Sequence, residues 1–422
     1  MAIQSDDPPA RQLASALAAG LAAGQLEPQN VSTRLVHLGR DPFAHHGFVN
    51  PPVYRGSTVL YPTVASLEGR AGLRYSYGRK GSPSTDALEA AIRGIEGGHR
   101  TWLAPSGLAA VSTALLAFVE AGDHILMPDA VYQPARTFCR DMLTKLGVEV
   151  QFYDPLIAAG IGALIKPNTR VVYTESPGSQ TFEVQDIPAI ASAARAAATS
   201  KLGAGRELWV FTDNTWASPL YFKPFAHGVD VSIQAATKYV VGHADAMLGA
   251  ITANERATDR MIKGAHTLGI CSGSEETYLG LRGMRTLEVR LERHWRSGVD
   301  MARWLEARPE VDRVLHPALE SHPGHAIWKR DFLGASGLFA VILKPAPKPA
   351  LAAMLEGLQL FGMGFSWGGF ESLVVPFDPT NYRTATKWQA SGQALRFHIG
   401  LEDVADLKAD LAAGFDRLAA HA

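Results

Sequence analysis

The chain has 422 residues, 47% of them apolar and 19% charged, with 40 Lys and Arg against 41 Asp and Glu. That apolar content excludes global disorder, and a formal net charge of −1 argues against nucleic-acid or anionic-membrane partners. Two cysteines, Cys139 and Cys271, cannot staple a secreted scaffold and point to a soluble, cytoplasmic protein.

Residues 13–24 are Ala-rich and apolar. The run is far shorter than the roughly 20 residues of a membrane span and lacks the basic start of a signal peptide, so it reads as a helical or frayed leader. Helical patterns are expected at 84–96, 106–120, 134–146 and 187–198. Short strands are expected at 124–127, 148–153, 170–174, 208–212, 229–233 and 248–252. This alternation predicts an α/β fold around a mostly parallel, covered sheet. From about residue 287 the pattern changes to a long polar helix, a strand at 337–343 and a terminal helix near 402–418. The expected division is an N-terminal segment (1–75), a large α/β domain (76–286) and a smaller α+β domain (287–422).

Open parallel sheets bind ligands beyond the carboxyl ends of their strands. Asp213 follows the run 208–212, and Thr237-Lys238 follows 229–233, 25 positions later. One connection between neighbouring strands would set a carboxylate and an amine on the same edge. Pyridoxal 5'-phosphate suits that pair: a lysine forms a Schiff base with its aldehyde, and a carboxylate keeps its ring nitrogen protonated. Its phosphate needs donors, and Ser106-Gly107-Leu108 opens a helix with a capping hydroxyl and free N–H groups. Thr237 adds a hydroxyl. No metal is expected, because neither His243 with Asp245 nor His45 with His46 has further ligands at metal spacing.

Longer motifs occur in the same order: Tyr77-Gly78-Arg79, Ser106-Gly107-Leu108-Ala109-Ala110, Pro177-Gly178-Ser179 and Asp213-Asn214-Thr215-Trp216-Ala217. Ala236-Thr237-Lys238-Tyr239, Gly242-His243-Ala244-Asp245, Ser366-Trp367-Gly368-Gly369 and Arg396-Phe397-His398-Ile399-Gly400-Leu401-Glu402 follow. With them the chain resembles the Cys/Met-metabolism family of pyridoxal-phosphate enzymes from about Thr33 to its C-terminus. One departure is Ala235, where many relatives place a serine on the phosphate.

The resemblance implies a fold-type-I architecture and assigns roles. Lys238 would carry the cofactor and act as base, Asp213 would pair with its ring nitrogen, and Tyr132 would stack on the ring and share in proton transfer. Ser106, Gly107, Leu108 and Thr237 would hold the phosphate. Tyr77 and Arg79 would reach a neighbouring subunit's site, making active sites shared between two chains of a homotetramer, with Tyr77 also near substrate. Arg396 would clamp the substrate carboxylate, its planar fork matching that group. Ser366 and Trp367 would line the substrate pocket, and Trp367 tilts the reaction towards β-elimination. The implied substrate is a small sulfur amino acid, with L-cystathionine cleaved to homocysteine, pyruvate and ammonia. Open alternatives are γ-elimination or γ-replacement, broad cysteine-S-conjugate cleavage, transamination, and a non-catalytic cofactor-binding regulator.

Overall fold

Short apolar, β-rich runs in the first two-thirds of the chain pair into one sheet. The computed structural model describes residues 30–69 and 73–421, so the leader at 13–24 lies outside the described residues. The strands are β1 Arg100–Ala104, β2 His124–Pro128, β3 Glu149–Tyr153, β4 Thr169–Glu175, β5 Trp209–Asp213, β6 Val231–Gln234 and β7 Gly249–Ala253. Their order is β1-β7-β6-β5-β4-β2-β3. Strand β7 runs antiparallel to both neighbours, and the other pairs are parallel.

Both faces are covered, as a parallel sheet requires. Alternate residues point to opposite sides. Leu126, Val172 and Val210 pack with Leu88 and Ile92 of α1 (Pro83–Glu96), Ile190 of α2 (Ile187–Lys201) and Leu281 of α3 (Ser274–Arg285). Their neighbours Ile125, Val171 and Phe211 pack on the other face with Val111 and Leu115 of the helix Gly107–Phe118 and with Met261 of the helix Glu255–Leu268.

After the helix Leu287–Glu306, β8 Val311–Leu315, β9 Leu338–Leu343, β10 Leu373–Phe377 and β11 Ala394–His398 form a second, antiparallel sheet in the order β10-β11-β9-β8. Phe339, Val341, Leu395 and Phe397 pack there with Leu411 and Phe415 of the terminal helix Val404–Ala420. The two sheets are tied together by buried polar contacts. Trp216 donates from Nε1 to the Leu338 carbonyl at 2.9 Å. Asp129, immediately after β2, accepts the N–H groups of Thr384, Ala385 and Thr386 at 2.9, 3.0 and 2.8 Å. Its carboxylate also pairs with Arg136 and Arg383.

One strand and one helix of the large sheet's domain differ from expectation in an instructive way. Strand β1 was not anticipated, because its pairing is with β7, far along the chain. Residues 134–146 are not one α-helix: the helix Gln133–Phe138 passes into a wider π turn, Cys139–Leu143, which keeps Cys139 and Leu143 in the core. No helix among the described residues is long and apolar enough to cross a membrane.

Candidate active site

Asp213 is the last residue of β5, and Lys238 stands in the turn that follows the adjacent parallel strand β6. The expected edge therefore exists. Asp213 Oδ1 accepts from Thr215 N at 2.9 Å and from Thr215 Oγ1 at 2.5 Å, while no hydrogen bond reaches Oδ2 among the described residues. Burial holds the Asp213 carboxyl above its ordinary range, with the Thr215 bonds and the Lys238 charge opposing it in part. A buried carboxylate with one oxygen still unpaired is suited to a cation.

The Lys238 amine is brought down to about 8, first by burial and then by the nearby Arg396 charge, against the attraction of Asp213. Its Nζ donates to Ser366 Oγ at 2.5 Å and lies 5.4 Å from the centre of the Trp367 ring. Ser366 has a left-handed backbone, φ 81°, a strained conformation for a serine. Its carbonyl accepts from Arg396 Nη2 at 3.2 Å. Arg396 sits on β11 with no ion-pair partner among the described residues, and burial lowers its guanidinium to about 10. A half-buried cation in that state calls for an anion.

Tyr132 follows β2 and caps the helix Gln133–Phe138. Burial raises its hydroxyl, Asp213 and Glu175 add to this, and Arg396 opposes them. The phenol is therefore protonated at neutral pH. Tyr132, Asp213, Lys238 and Arg396 thus share one electrostatic neighbourhood.

Ser106 caps the helix Gly107–Phe118, its Oγ accepting from Ala109 N at 3.1 Å, an arrangement worth about 1 kcal/mol. The N–H groups of Gly107 and Leu108 have no protein partner among the described residues. A side chain at Gly107 would bring a Cβ within 2.5 Å of the Ala235 Cβ, so the helix start lies directly against the segment that leads to Lys238. Thr237 Oγ1 is engaged by Leu248, accepting from its N at 2.8 Å and donating to its O at 3.0 Å.

Tyr77 and Arg79 are not drawn into this cluster within one chain. Arg79 donates to the His266 carbonyl at 3.0 Å, and Tyr77 is 46% exposed. The loop between them is pinned by Gly78 N donating to Ser57 O at 2.7 Å.

The family model described as Cys/Met metabolism PLP-dependent enzyme matches residues 32–416. The chain belongs to that family. A Rhizobium johnstonii protein provisionally named a cystathionine β-lyase is 51% identical over 394 residues, 92% of this chain and 97% of its own. The Escherichia coli cystathionine β-lyase MetC is 42% identical over 398 residues, 92% of this chain and 99% of its own. The crystal structure of metB from Corynebacterium glutamicum superposes with a TM-score of 0.83 at 28% identity, covering 93% of this chain and 99% of that one.

The residues present fit pyridoxal phosphate. Lys238 offers a partly neutral amine, Asp213 an unpaired carboxylate oxygen, and the start of the helix Gly107–Phe118 two free N–H donors for a dianion. Two further residues were given no role by sequence reasoning. Glu175 ends β4 beside Asp213, and His398 accepts from the Gly368 N–H at 3.1 Å beneath the Trp367 loop. The one available signal for Glu175 was its place before Ser176-Pro177-Gly178-Ser179 at a strand end.

Gly368 is required by two constraints at once. Its φ is +88°, and a Cβ there would stand 3.0 Å from the Lys238 Cα. Gly97 has the same φ with nothing within 4 Å. Both Gly→Ala variants should lose about 1–3 kcal/mol of unfolding free energy from the backbone alone. Only Gly368→Ala should also weaken the visible band of the bound cofactor. Equal absorbance in the two variants would deny that this glycine sets the position of Lys238.

Proposed function

We propose that the protein is a cystathionine β-lyase that cleaves L-cystathionine to homocysteine, pyruvate and ammonia by α,β-elimination. The observation that carries this reading is the single cluster in which Lys238 Nζ meets Ser366 and Trp367 while Asp213 and Arg396 bear on the same amine. The names of the relatives support it over nearly the whole chain.

In this reading Arg396 binds the substrate α-carboxylate with its guanidinium fork. That anchors the Cα–H bond towards Lys238. The neutral amine of Lys238, accessible because its pKa is near 8, takes the Cα proton. The bound cofactor supplies the electron sink for the charge left at Cα, and Asp213 favours its protonated ring nitrogen. The Cβ–S bond breaks, and the departing sulfur receives a proton from the Lys238 ammonium or the Tyr132 hydroxyl. Water then completes the balance, giving pyruvate and ammonia beside the thiol. Ser106, Gly107 and Leu108 hold the phosphate, and Thr237 joins them only if its hydroxyl leaves the Leu248 carbonyl.

Tyr77 and Arg79 complete the site of a neighbouring chain in a homotetramer built as a dimer of dimers, Tyr77 also facing substrate. Support comes from the N-terminal segment: Phe48 is 73% and Leu60 83% exposed, apolar surface suited to burial against another chain. The division at residues 76–286 and 287–422 follows the two sheets, and a cytoplasmic location suits the two unpaired cysteines.

Incubation of purified enzyme with L-cystathionine tests the reading through both products. Homocysteine and pyruvate are expected in equal amounts. Cysteine with 2-oxobutyrate would instead establish γ-elimination and overturn it.

A further inference from the structure

Glu175 is buried at the same sheet edge as Asp213, and the reaction described above makes no use of it. The two carboxylates are register partners on adjacent parallel strands, so their side chains share one face of the sheet. Their support is unequal. Asp213 receives two hydrogen bonds from Thr215 and the attraction of Lys238. Glu175 is 7% exposed, accepts one hydrogen bond, from the Tyr132 N–H to Oε2 at 2.8 Å, and has no ion-pair partner among the described residues. Its own N–H donates to Gln185 Oε1 at 2.8 Å, and the side chain of that glutamine donates to Tyr153. The surroundings of Glu175 are therefore neutral, apart from Asp213. Two largely buried like charges at paired strand ends disfavour each other, and the one with fewer donors takes the proton. Burial first and Asp213 second push the Glu175 carboxyl well above the usual carboxylate range.

We propose that Glu175 is a positioning residue that stays neutral at working pH, leaving the charge of the pair on Asp213 and anchoring Tyr132 through its backbone N–H. It rests on Asp213 as the partner of the cofactor ring nitrogen and is independent of which thioether is cleaved. A neutral neighbour leaves the Asp213 charge free to favour the protonated ring, whereas a second carboxylate would raise Asp213 towards its own protonated form. The Tyr132 contact fixes where the phenol begins, at the only hydrogen bond of the Tyr132 N–H among the described residues.

The test compares the holoenzyme with Glu175→Gln and Glu175→Ala. Infrared difference spectra between wild type and Glu175→Gln at neutral pH should show the carbonyl stretch of a protonated carboxyl in the wild type alone, shifting in heavy water. Carboxylate bands in its place would overturn the proposal. Glutamine keeps a neutral acceptor for the Tyr132 N–H, so Glu175→Gln should retain kcat/KM within about threefold. Glu175→Ala leaves that N–H unpaired and should lose about tenfold or more. A Glu175→Gln enzyme as impaired as Glu175→Ala would show that a charge is needed there, and would also overturn the proposal. The infrared result does not depend on the products formed from cystathionine, so it stands apart from the lyase assignment.

Discussion

Replacing Lys238 with alanine is expected to remove the visible absorption of the lysine-bound cofactor and to lower kcat/KM for L-cystathionine by about 10²–10⁴-fold or more, the range for loss of a positioned general base. Burial and Arg396 bring the Lys238 amine from 10.5 to about 8, so a substantial fraction is neutral at the operating pH. Acylation of Lys238 in the cofactor-free protein should therefore rise through about pH 8, since only the neutral amine attacks. The sign of the coupling is definite. Arg396 lowers this pKa, so removing its charge moves the acylation curve to higher pH. An unchanged visible spectrum in Lys238→Ala would place the cofactor on another amine.

Arg396→Ala should have the second large effect, and it should fall mainly on substrate binding. Its guanidinium donates once, to the Ser366 carbonyl, and no carboxylate of the described residues pairs with it. Truncating one partner of a buried charged pair costs about 2–5 kcal/mol, or about 30-fold or more in kcat/KM. The rise in KM should exceed the fall in kcat, because the clamp acts before and during the chemical step alike. Arg396→Lys keeps the charge but loses the planar fork, and should recover only part of the loss. Steady-state kinetics at fixed pH checks this series, and unaltered KM in Arg396→Ala would move the carboxylate site elsewhere.

The main features of the sheet, and the shared edge of Asp213 and Lys238, were legible because each is written locally. Buried parallel strands such as β4 carry continuous apolar, aromatic and β-branched runs, here Val171-Val172-Tyr173-Thr174, and Asp213 and Thr237-Lys238 follow two other such strands at the spacing of one connection. What escaped depends on partners distant in sequence. β1 is a five-residue strand whose place is set by β7, about 150 positions later. The π turn at Cys139–Leu143 answers to core packing, which no local periodicity reveals. Glu175 resembles any acidic residue at a strand end until its cross-strand neighbour proves to be Asp213. Asp129 reads as a turn residue, yet three successive N–H groups from residues 384–386 converge on it. His398 lay inside a quoted motif, but its bond to the Gly368 N–H is visible only once β11 lies under that loop.

Borohydride reduction of the yellow holoenzyme, followed by peptide mapping, asks most directly where the reacting aldehyde is held. One pyridoxyl group per chain on the peptide containing Lys238 is the expected result. The same group on any other lysine, with Lys238 unmodified, would contradict the assignment of the site.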